Sequence, residues 1–291
     1  MIKNLLGILL SLFFTSCSLE NEKKLKISTT TWIGYTPLYY AKEKGWLEPL
    51  NIKLLNVVSL SENMYLYKAG NSDAYVGTQY EYNILVKKID SLIPVMLFDK
   101  SNGGDVILGN INIEDIKNTT QSIDVYLEMD SINSILFEEF IKFNHIEDKN
   151  FNYINKDQAY ISRLKNLENN SIIVTYTPYN VFLEKNDFKE LSSTKNNSDL
   201  LVIDGMFTTK QTFNENKKAF IELKKAINNA LINLEKDPKE FYETIKAYLP
   251  DTTYEDFLKS LDDIVWINKN TPEKIVEKLN NNNFPTRELI K

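Results

Sequence analysis

The side chains that most often act as nucleophiles, general bases and metal ligands are scarce in this sequence. Its 291 residues include one cysteine, Cys17, and one histidine, His145. Nucleophilic catalysis needs a base such as histidine beside the nucleophile, and a zinc site needs several cysteines or histidines at close spacing. The helical pattern places His145 at the end of an amphipathic helix, away from the polar segments considered next. We therefore predict no enzymatic activity, no metal site and no cofactor.

Aromatic side chains that suit ligand recognition follow two of the predicted strands. Trp32 and Tyr35 flank Gly34 directly after the first strand. The two rings can form one wall of a binding site, and glycine lets backbone N–H groups approach a ligand. The alternative is that both rings belong to the core. Tyr176 follows a strand much later in the chain and would supply the opposite aromatic wall.

A hydroxyl side chain, Thr78, follows the third predicted strand, and Glu81 lies three residues later. Thr78 can present its hydroxyl to a ligand, or it can cap the next helix with Glu81 completing a capping box. We favour the capping role for Glu81. Thr78 can serve both purposes, because the N-terminus of a helix is itself a site for polar ligands.

Further polar candidates lie in turns and at a helix start. Ser101 and Asp105 belong to a polar turn, where Asp105 either orients a ligand amine or accepts backbone N–H groups of the turn itself. Ser131 and Asn133 begin a helix whose first N–H groups would point at the ligand, with capping as the alternative. Asp204 lies on a predicted returning strand, where a hinge hydrogen bond is the alternative role.

The charge around these candidates predicts the kind of ligand. Lysine and arginine are absent from residues 29–39, 77–82, 101–110, 128–134, 174–180 and 202–207. An anion would meet only N–H and hydroxyl donors there, whereas buried carboxylates favour N–H donors or cations. We therefore predict a neutral or amine-bearing ligand, such as an amino-heterocycle or an amidine, rather than nitrate or a sulfonate. The formal net charge of -6 argues against nucleic acid as a partner.

Strands and helices alternate in the pattern that must position these residues. A first group contains strands at 25–31, 51–58 and 74–77 and helices at 38–44 and 62–69. Alternation at this length predicts a mainly parallel sheet covered by helices, with ligands at the carboxyl ends of the strands.

A further strand is predicted at 93–98, and a tight polar turn at 102–104 then leads into a second group of elements. The strands after the turn are predicted at 106–108, 123–127, 151–154 and 172–175, and the helices at 131–143 and 158–167. Residues 200–203 would return the chain to the first group. Helical spacing then covers 217–234 and 239–248, with Pro238 at a helix start. We expect these last helices to pack on the first lobe.

The N-terminal segment has the features of an export signal. Lys3 supplies the positive start, residues 5–14 are an apolar run, and small residues precede Cys17. About ten apolar residues are too few to cross a bilayer, which needs about 20. Residues 14–17 resemble a bacterial lipobox, which implies a signal peptide at 1–16, an acylated Cys17 and a tether at 17–24. Ordinary secretion and an incidental thiol are the alternatives.

Several segments resemble, in the right order, the periplasmic binding proteins of the nitrate, sulfonate and taurine type. They are residues 32–38 with 44–47, residues 70–74 with 78–81, residues 95–107, residues 174–179 and residues 201–204. The resemblance implies an α/β fold of type II with two lobes, each a mainly parallel sheet flanked by helices, and two hinge crossings near Val106 and Ile203. Lobe 1 would contain residues 25–106 and 204–291, and lobe 2 residues 107–203.

The same resemblance implies a function. The protein would be a monomer at the periplasm or cell surface, held to the membrane by lipid at Cys17. It would capture a small molecule by hinge closure and deliver it to the permease and ATPase of an ABC importer. The predicted ligand-binding residues are Trp32, Gly34, Tyr35, Thr78, Ser101, Asp105, Ser131, Asn133, Tyr176 and Asp204.

Three other functions are compatible with this type of chain. A bilobal receptor can signal to a membrane partner instead of a permease. A nitrate, sulfonate or taurine binder would keep the ligand class of the family. A pyrimidine-precursor synthase of the same fold would need a cysteine-rich iron site and a suitably placed histidine, which this sequence does not supply.

Overall fold

The computed structural model describes residues 23–195, 200–249 and 251–290. The predicted signal peptide, Cys17 and most of the predicted tether lie outside these residues. The strands are β1 (Leu25–Thr29), β2 (Ile52–Asn56), β3 (Ala74–Thr78), β4 (Leu92–Ser101), β5 (Asp105–Gly109), β6 (Ile123–Leu127), β7 (Phe151–Asn155), β8 (Ser171–Tyr176), β9 (Lys189–Ser193), β10 (Ile203–Thr209) and β11 (Ile264–Trp266).

The α-helices cover these strands. They are α1 (Thr36–Glu43), α2 (Leu60–Lys68), α3 (Gln79–Leu85), α4 (Ile113–Asn118), α5 (Ile132–Asn144), α6 (Gln158–Ile161), α7 (Asn180–Glu184), α8 (Lys210–Glu215), α9 (Lys217–Lys236), α10 (Pro238–Ile245), α11 (Tyr254–Ser260) and α12 (Glu273–Asn281). None of the helices in the part of the chain that the structure describes has both the length and the apolar character needed to cross a bilayer.

Two sheets divide the strands between two lobes. The first lobe contains a six-stranded sheet in the order β11-β4-β10-β3-β1-β2, and the second a five-stranded sheet in the order β7-β6-β8-β5-β9. The two-lobed α/β architecture expected from the sequence is therefore confirmed.

Both sheets are mixed, which corrects the expectation of mainly parallel sheets. Strand β1 is parallel to β2 and β3, and β6 is parallel to β7 and β8, because helices connect these strands over a face of the sheet. The strands next to the crossings between lobes pair differently. Strand β10 is antiparallel to β3 and β4, and β5 is antiparallel to β8 and β9.

The two crossings run side by side. The chain passes from β4 to β5 through residues 102–104 and returns between β9 and β10. The hydroxyls of Ser101 and Thr194 lie 2.7 Å apart, and the Thr194 N–H donates to the Asp105 carbonyl at 3.0 Å. The carbonyl of Asp263, just before β11, accepts N–H groups of Asn102 and Gly104 at 2.7 and 3.0 Å. These short contacts tie the crossings together.

Each lobe has its own apolar core. Phe220, Leu223 and Ile227 recur at helical spacing on one face of α9 and are fully buried against the first lobe. Helices α9 and α10 pack on α1, as predicted for the C-terminal helices. In the second lobe, Phe137 and Phe140 of α5 pack in a separate buried cluster with strands β5, β6 and β8.

Three local predictions differ from the structure. The returning strand is Ile203–Thr209 rather than 200–203, because pairing with β3 and β4 on both sides continues it through a polar and glycine-containing segment. The helix predicted at 158–167 ends at Ile161. Strands β9 and β11 lack an apolar alternation long enough to predict them: β9 has the polar sequence KELSS and β11 has three residues.

Candidate functional site

The ends of several strands meet between the lobes and enclose a small cavity. Strands β1, β3 and β8 contribute residues at or just after their carboxyl ends. Strands β5 and β10 are antiparallel to their neighbours, so their first residues lie at the same edge of the sheets. The cavity measures about 10 Å³, room for about one water molecule, and is lined by Trp32, Tyr35, Leu60, Thr78, Asp105, Ile132, Tyr176 and Asp204. The structure thus brings six of the ten predicted ligand-binding residues together around one cavity.

An aromatic contact between the lobes forms one side of the cavity. The rings of Trp32 and Tyr176 meet edge to face, with centroids 5.8 Å apart and an interplanar angle of 75°. Trp32 follows β1 in the first lobe and Tyr176 ends β8 in the second. Their exposed fractions are 4% and 2%. The rings are therefore both cavity wall and core, so the two interpretations left open by the sequence are not exclusive here.

Gly34 admits a buried carboxylate rather than lining the cavity. A Cβ atom at this position would overlap the carboxyl group of Asp99 and would lie 2.5 Å from the indole nitrogen of Trp32. Asp99 Oδ1 accepts a hydrogen bond from that indole N–H at 3.1 Å. Any larger residue at position 34 would therefore break the contact between Trp32 and Asp99.

Asp99, Asp105 and Asp204 form a cluster of buried carboxyl groups around the cavity. Tyr35 donates its hydroxyl to Asp204, while Asp99 Oδ2 and Asp105 Oδ2 have no hydrogen-bond partner. Burial raises the pKa of Asp105 to about 7 and that of Asp99 to about 8, with smaller contributions from repulsion by Glu81 on Asp105 and by Asp105 on Asp99. The same causes raise the pKa of Asp204 well above its ordinary value.

Two glutamates lie between the lobes beside this cluster. Glu81 Oε2 accepts the Thr78 N–H at 2.8 Å and the Thr78 hydroxyl, which confirms the predicted capping box. Its other oxygen accepts the N–H of Ile132, in the second lobe, at 3.0 Å. Glu128, from the second lobe, accepts the N–H of Leu60 in the first lobe at 3.4 Å. Burial raises the pKa of Glu81, and it raises that of Glu128 to about 8.

Besides Gly34, three predicted residues do not line the cavity, and each makes a side-chain hydrogen bond within the protein. Ser101 joins Thr194 at the crossings and accepts the Asp105 N–H at 3.1 Å. Ser131 caps α5 by accepting the Asn133 N–H at 3.2 Å. Asn133 Oδ1 accepts from Gln158 at 2.9 Å. These residues order the elements behind the cavity, and a direct ligand contact by any of them stays a prediction.

Four residues of the site were not among the candidates chosen from the sequence. Leu60 and Ile132 line the cavity from the first turns of α2 and α5, and Asp99 and Glu128 supply buried carboxyl groups. The sequence could have indicated Asp99, because it is a carboxylate near the end of a ten-residue strand that is otherwise largely apolar. Leu60 and Ile132 have no such signal, because apolar residues in a first helical turn are common.

The cavity lining contains no basic side chain. Lys210, which would have opposed the predicted ligand class by turning inward, lies on the surface with its Nζ 3.9 Å from Glu288. Lys100 is half-buried but does not line the cavity. Among the residues that the structure describes, no three histidine, cysteine or acidic side chains are arranged to hold a metal ion. The lining therefore offers carboxyl groups without a basic side chain to pair with them.

A larger groove, of about 600 Å³, runs along the crossings and shares no lining residue with the small cavity. We call it the hinge groove. Lysines and acidic residues alternate along it, and Lys185 Nζ of the second lobe lies 2.7 Å from Asp256 Oδ2 of the first. The hinge groove has the greater volume, but its charged side chains are exposed to water and pair with one another. The small cavity is the better candidate, because its polar side chains are buried and one carboxyl oxygen of its lining, Asp105 Oδ2, lacks a partner.

Comparisons with solved structures place the fold among solute-binding components of importers. The chain is similar to the ligand-binding component of an ABC-type import system from Staphylococcus aureus, whose structure contains zinc, with 15% identity, a TM-score of 0.65, and coverage of 93% of this chain and 97% of that one. It is also similar to the periplasmic aliphatic sulphonate-binding protein of Escherichia coli, with 12% identity, a TM-score of 0.65, and coverage of 90% and 94%.

A third similar structure carries the name of the fold. It is a Candida albicans protein described as having the generic periplasmic binding protein fold, with 13% identity, a TM-score of 0.63, and coverage of 84% of this chain and 82% of that one. No protein-family model and no curated protein sequence matches the chain. The comparisons thus confirm the fold expected from the sequence motifs.

Proposed function

We propose that this protein captures a small cationic, amine-bearing molecule between its two lobes and delivers it to the permease and ATPase of an ABC importer. The observation that carries the ligand class is the unpartnered, buried oxygen Asp105 Oδ2 in a cavity lining without lysine or arginine, with a second unpartnered oxygen, Asp99 Oδ2, buried against Gly34. A buried carboxylate is stable only when it is paired, and here the ligand would supply the pairing charge.

The form of the cation follows from the donors that the site needs. Two acceptor oxygens and the unpartnered hydroxyl of Tyr176 call for several N–H groups on one small ligand. An amidinium, guanidinium or protonated amino-heterocycle presents such groups in one plane, and Trp32 and Tyr176 provide aromatic surfaces beside it.

Hinge closure is the proposed mechanism. The closed cavity of about 10 Å³ is smaller than these ligands, so the lobes must separate to admit one and then close on it. Both lobes supply lining residues, and a ligand that contacts both therefore stabilises the closed arrangement. The closed arrangement would present the surface that the importer recognises.

Attachment to the membrane completes the proposal. Cys17 after a short apolar segment supports acylation, export and retention at the periplasmic face or cell surface. Mass spectrometry of the mature N-terminus tests this step. We expect a lipid-modified Cys17, and an unmodified, retained signal segment would contradict the anchor without affecting the binding proposal.

A pair of matched ligands tests the ligand class. Acetamidine and acetamide have nearly the same shape, but only acetamidine is a cation at neutral pH. Titration calorimetry should detect binding of acetamidine, or of a larger amidine or amino-heterocycle, and not of the neutral analogue. Methanesulfonate serves as the anionic comparison. Preferential binding of the sulfonate or the neutral amide would refute the proposal, and mass spectrometry of molecules that copurify with the protein would identify the natural ligand.

A further inference from the structure

Glu81 and Glu128 cross the cleft in opposite directions and reach the N-termini of helices in the facing lobe. Glu81, on α3 of the first lobe, accepts the N–H of Ile132 at the start of α5 at 3.0 Å. Glu128, which follows β6 in the second lobe, accepts the N–H of Leu60 at the start of α2 at 3.4 Å. Leu60 and Ile132 also line the cavity. Both helix N-termini therefore open directly onto the proposed ligand site.

These two helix starts are where an anionic ligand would be expected to bind. The helices are long enough to carry a helix dipole, with nine residues in α2 and thirteen in α5. First-turn N–H groups have no partner within their helix, and together with the dipole they attract phosphate, sulfate and carboxylate groups. In this protein the chain's own carboxyl groups already occupy that position in both lobes.

We propose that Glu81 and Glu128 set the charge specificity of the cleft, because each occupies a helix N-terminus that an anionic ligand would otherwise bind. This inference rests on the proposed function, in that it takes the cleft to be a solute site. Sulfonates and similar anions would be excluded because the N–H groups of Leu60 and Ile132 already have acceptors, and because the carboxylates of Glu81 and Glu128 would repel a negative charge. Cations are favoured by the same charges.

Capping and packing alone do not account for this arrangement. The capping box of α3 uses Glu81 Oε2 with Thr78, which leaves Oε1 free to reach Ile132 in the other lobe. Glu128 is 1% exposed, and its Oε1 has no hydrogen-bond partner. A buried carboxyl group with an unmet oxygen is costly for a purely structural role. Glu128 is also close enough to the cavity-lining Tyr176 to raise the pKa of its hydroxyl, and Glu81 is close enough to Glu128 to raise the pKa of that carboxyl group.

The test removes the two charges and measures anion binding. The double variant Glu81→Gln/Glu128→Gln keeps the size of both side chains and the capping box, which glutamine also completes. Methanesulfonate is titrated into the variant and the unmodified protein at pH 9, where Glu128 is ionised. We expect the variant to bind methanesulfonate at least about tenfold more tightly, since one charge at a helix N-terminus is worth roughly 2- to 30-fold.

A matched control removes equal charge from the same two helices. Glu62 lies in the first turn of α2 and Glu138 lies on α5, and both side chains are exposed. The variant Glu62→Gln/Glu138→Gln should bind methanesulfonate no better than the unmodified protein. An equal gain in this control would mean that overall charge, and not occupation of the helix starts, excludes anions, and that result would overturn the inference.

Circular dichroism and thermal unfolding establish that each variant is folded, and if the double variant is not, Glu128→Gln alone carries the test. A folded variant whose affinity for methanesulfonate is unchanged would overturn the inference. Binding of acetamidine by the unmodified protein is measured in parallel. Its absence would count against the proposed cationic ligand, whereas a gain in anion binding by the variant would still support the role of the two glutamates.

Discussion

Acidic side chains lie between the lobes in both the central cavity and the hinge groove, but their surroundings are opposite. In the hinge groove, Asp256 is close to Lys185. Partial burial raises the pKa of Asp256, but hydrogen bonds from Lys185 and Thr253 outweigh that effect and hold it below the usual value. In the cavity, Asp105 is buried without a cation, and its pKa rises to about 7.

The contrast separates two uses of the same chemical group. Asp256 already has its counter-charge within the chain, so it serves as an exposed link between lobes that contributes little free energy. Asp99 and Asp105 lack one, and the cost of burying them is recovered only when a proton or a cation is supplied. The candidate binding site therefore differs from the surface in that its buried carboxyl groups lack a counter-charge, and not in the number of its acidic residues.

The largest effect should come from removing a carboxyl group of the cavity. Asp105→Asn keeps the side-chain shape but removes the charge that would pair with the ligand. Affinity for the tightest-binding cation should fall by about 2 to 5 kcal/mol in titration calorimetry. The free energy of unfolding at pH 8, measured in urea without ligand, should rise because no carboxylate is desolvated. Retained affinity would show that Asp105 does not face the ligand.

The next effect concerns the indole of Trp32. Trp32→Phe keeps an aromatic ring against Tyr176 but removes the N–H that donates to Asp99 at 3.1 Å. Loss of a hydrogen bond to a charged group should lower the free energy of unfolding by about 1.5 to 3 kcal/mol, and the smaller ring should reduce cation affinity through lost contact with the ligand. Tyr35→Phe provides the comparison, because it removes the hydroxyl that donates to Asp204. Unchanged affinity in both variants would limit these residues to packing.

The pH dependence of binding should also distinguish the two regions. Below pH 7 to 8, protons occupy the raised-pKa carboxyl groups of Asp105 and Asp99, and a cation must displace them. Affinity for acetamidine, which stays charged throughout, should therefore increase from pH 6 to pH 9, by at most about tenfold per pH unit for each proton displaced. A flat profile would mean that the site does not exchange protons for the ligand.

The same groups predict how stability changes without ligand. Their pKa values are higher in the folded than in the unfolded protein, so the folded state holds more protons between about pH 4 and pH 8. The contribution of these groups to the free energy of unfolding is fully present at low pH and is lost as the pH rises through that interval. Urea unfolding of the protein and of Asp105→Asn at pH 5 and pH 8 measures this difference.

The smallest effect should come from the hinge groove. Asp256→Asn removes the ion pair with Lys185, which spans the lobes but is partly exposed. We expect the free energy of unfolding to fall by at most about 1 kcal/mol, and cation affinity to change by no more than about twofold. A loss of affinity comparable to that of Asp105→Asn would end the distinction between the two regions.

The candidate site was predictable where strand patterns and polar side chains coincide. Trp32 lies shortly after β1, and Thr78 and Tyr176 end β3 and β8, so the rule for the carboxyl ends of strands located them. The capping box of Thr78 and Glu81 is a local pattern of four residues and was predicted correctly. Ser131 followed the same kind of local rule, but its hydroxyl caps α5 and does not line the cavity.

The residues that could not be predicted depend on contacts across the cleft. Nothing near Glu128 in the sequence indicates that it reaches Leu60, because the two lie in different lobes. Asp99 joins the site only because Gly34 leaves space for its carboxyl group beside Trp32. The mixed sheets have the same origin, since the direction in which β5 and β10 pair depends on how the crossings arrange the two halves of the chain.

The sequence by itself determined the alternation of strands and helices, the caps, and the acidic and aromatic character of the loops, because these follow from spacing within a few residues. Only the tertiary structure decided which carboxyl groups are buried and which of their oxygens lack partners. Burial and pairing are properties of space, and the groups that share this cavity come from segments as far apart in the chain as Trp32 and Asp204.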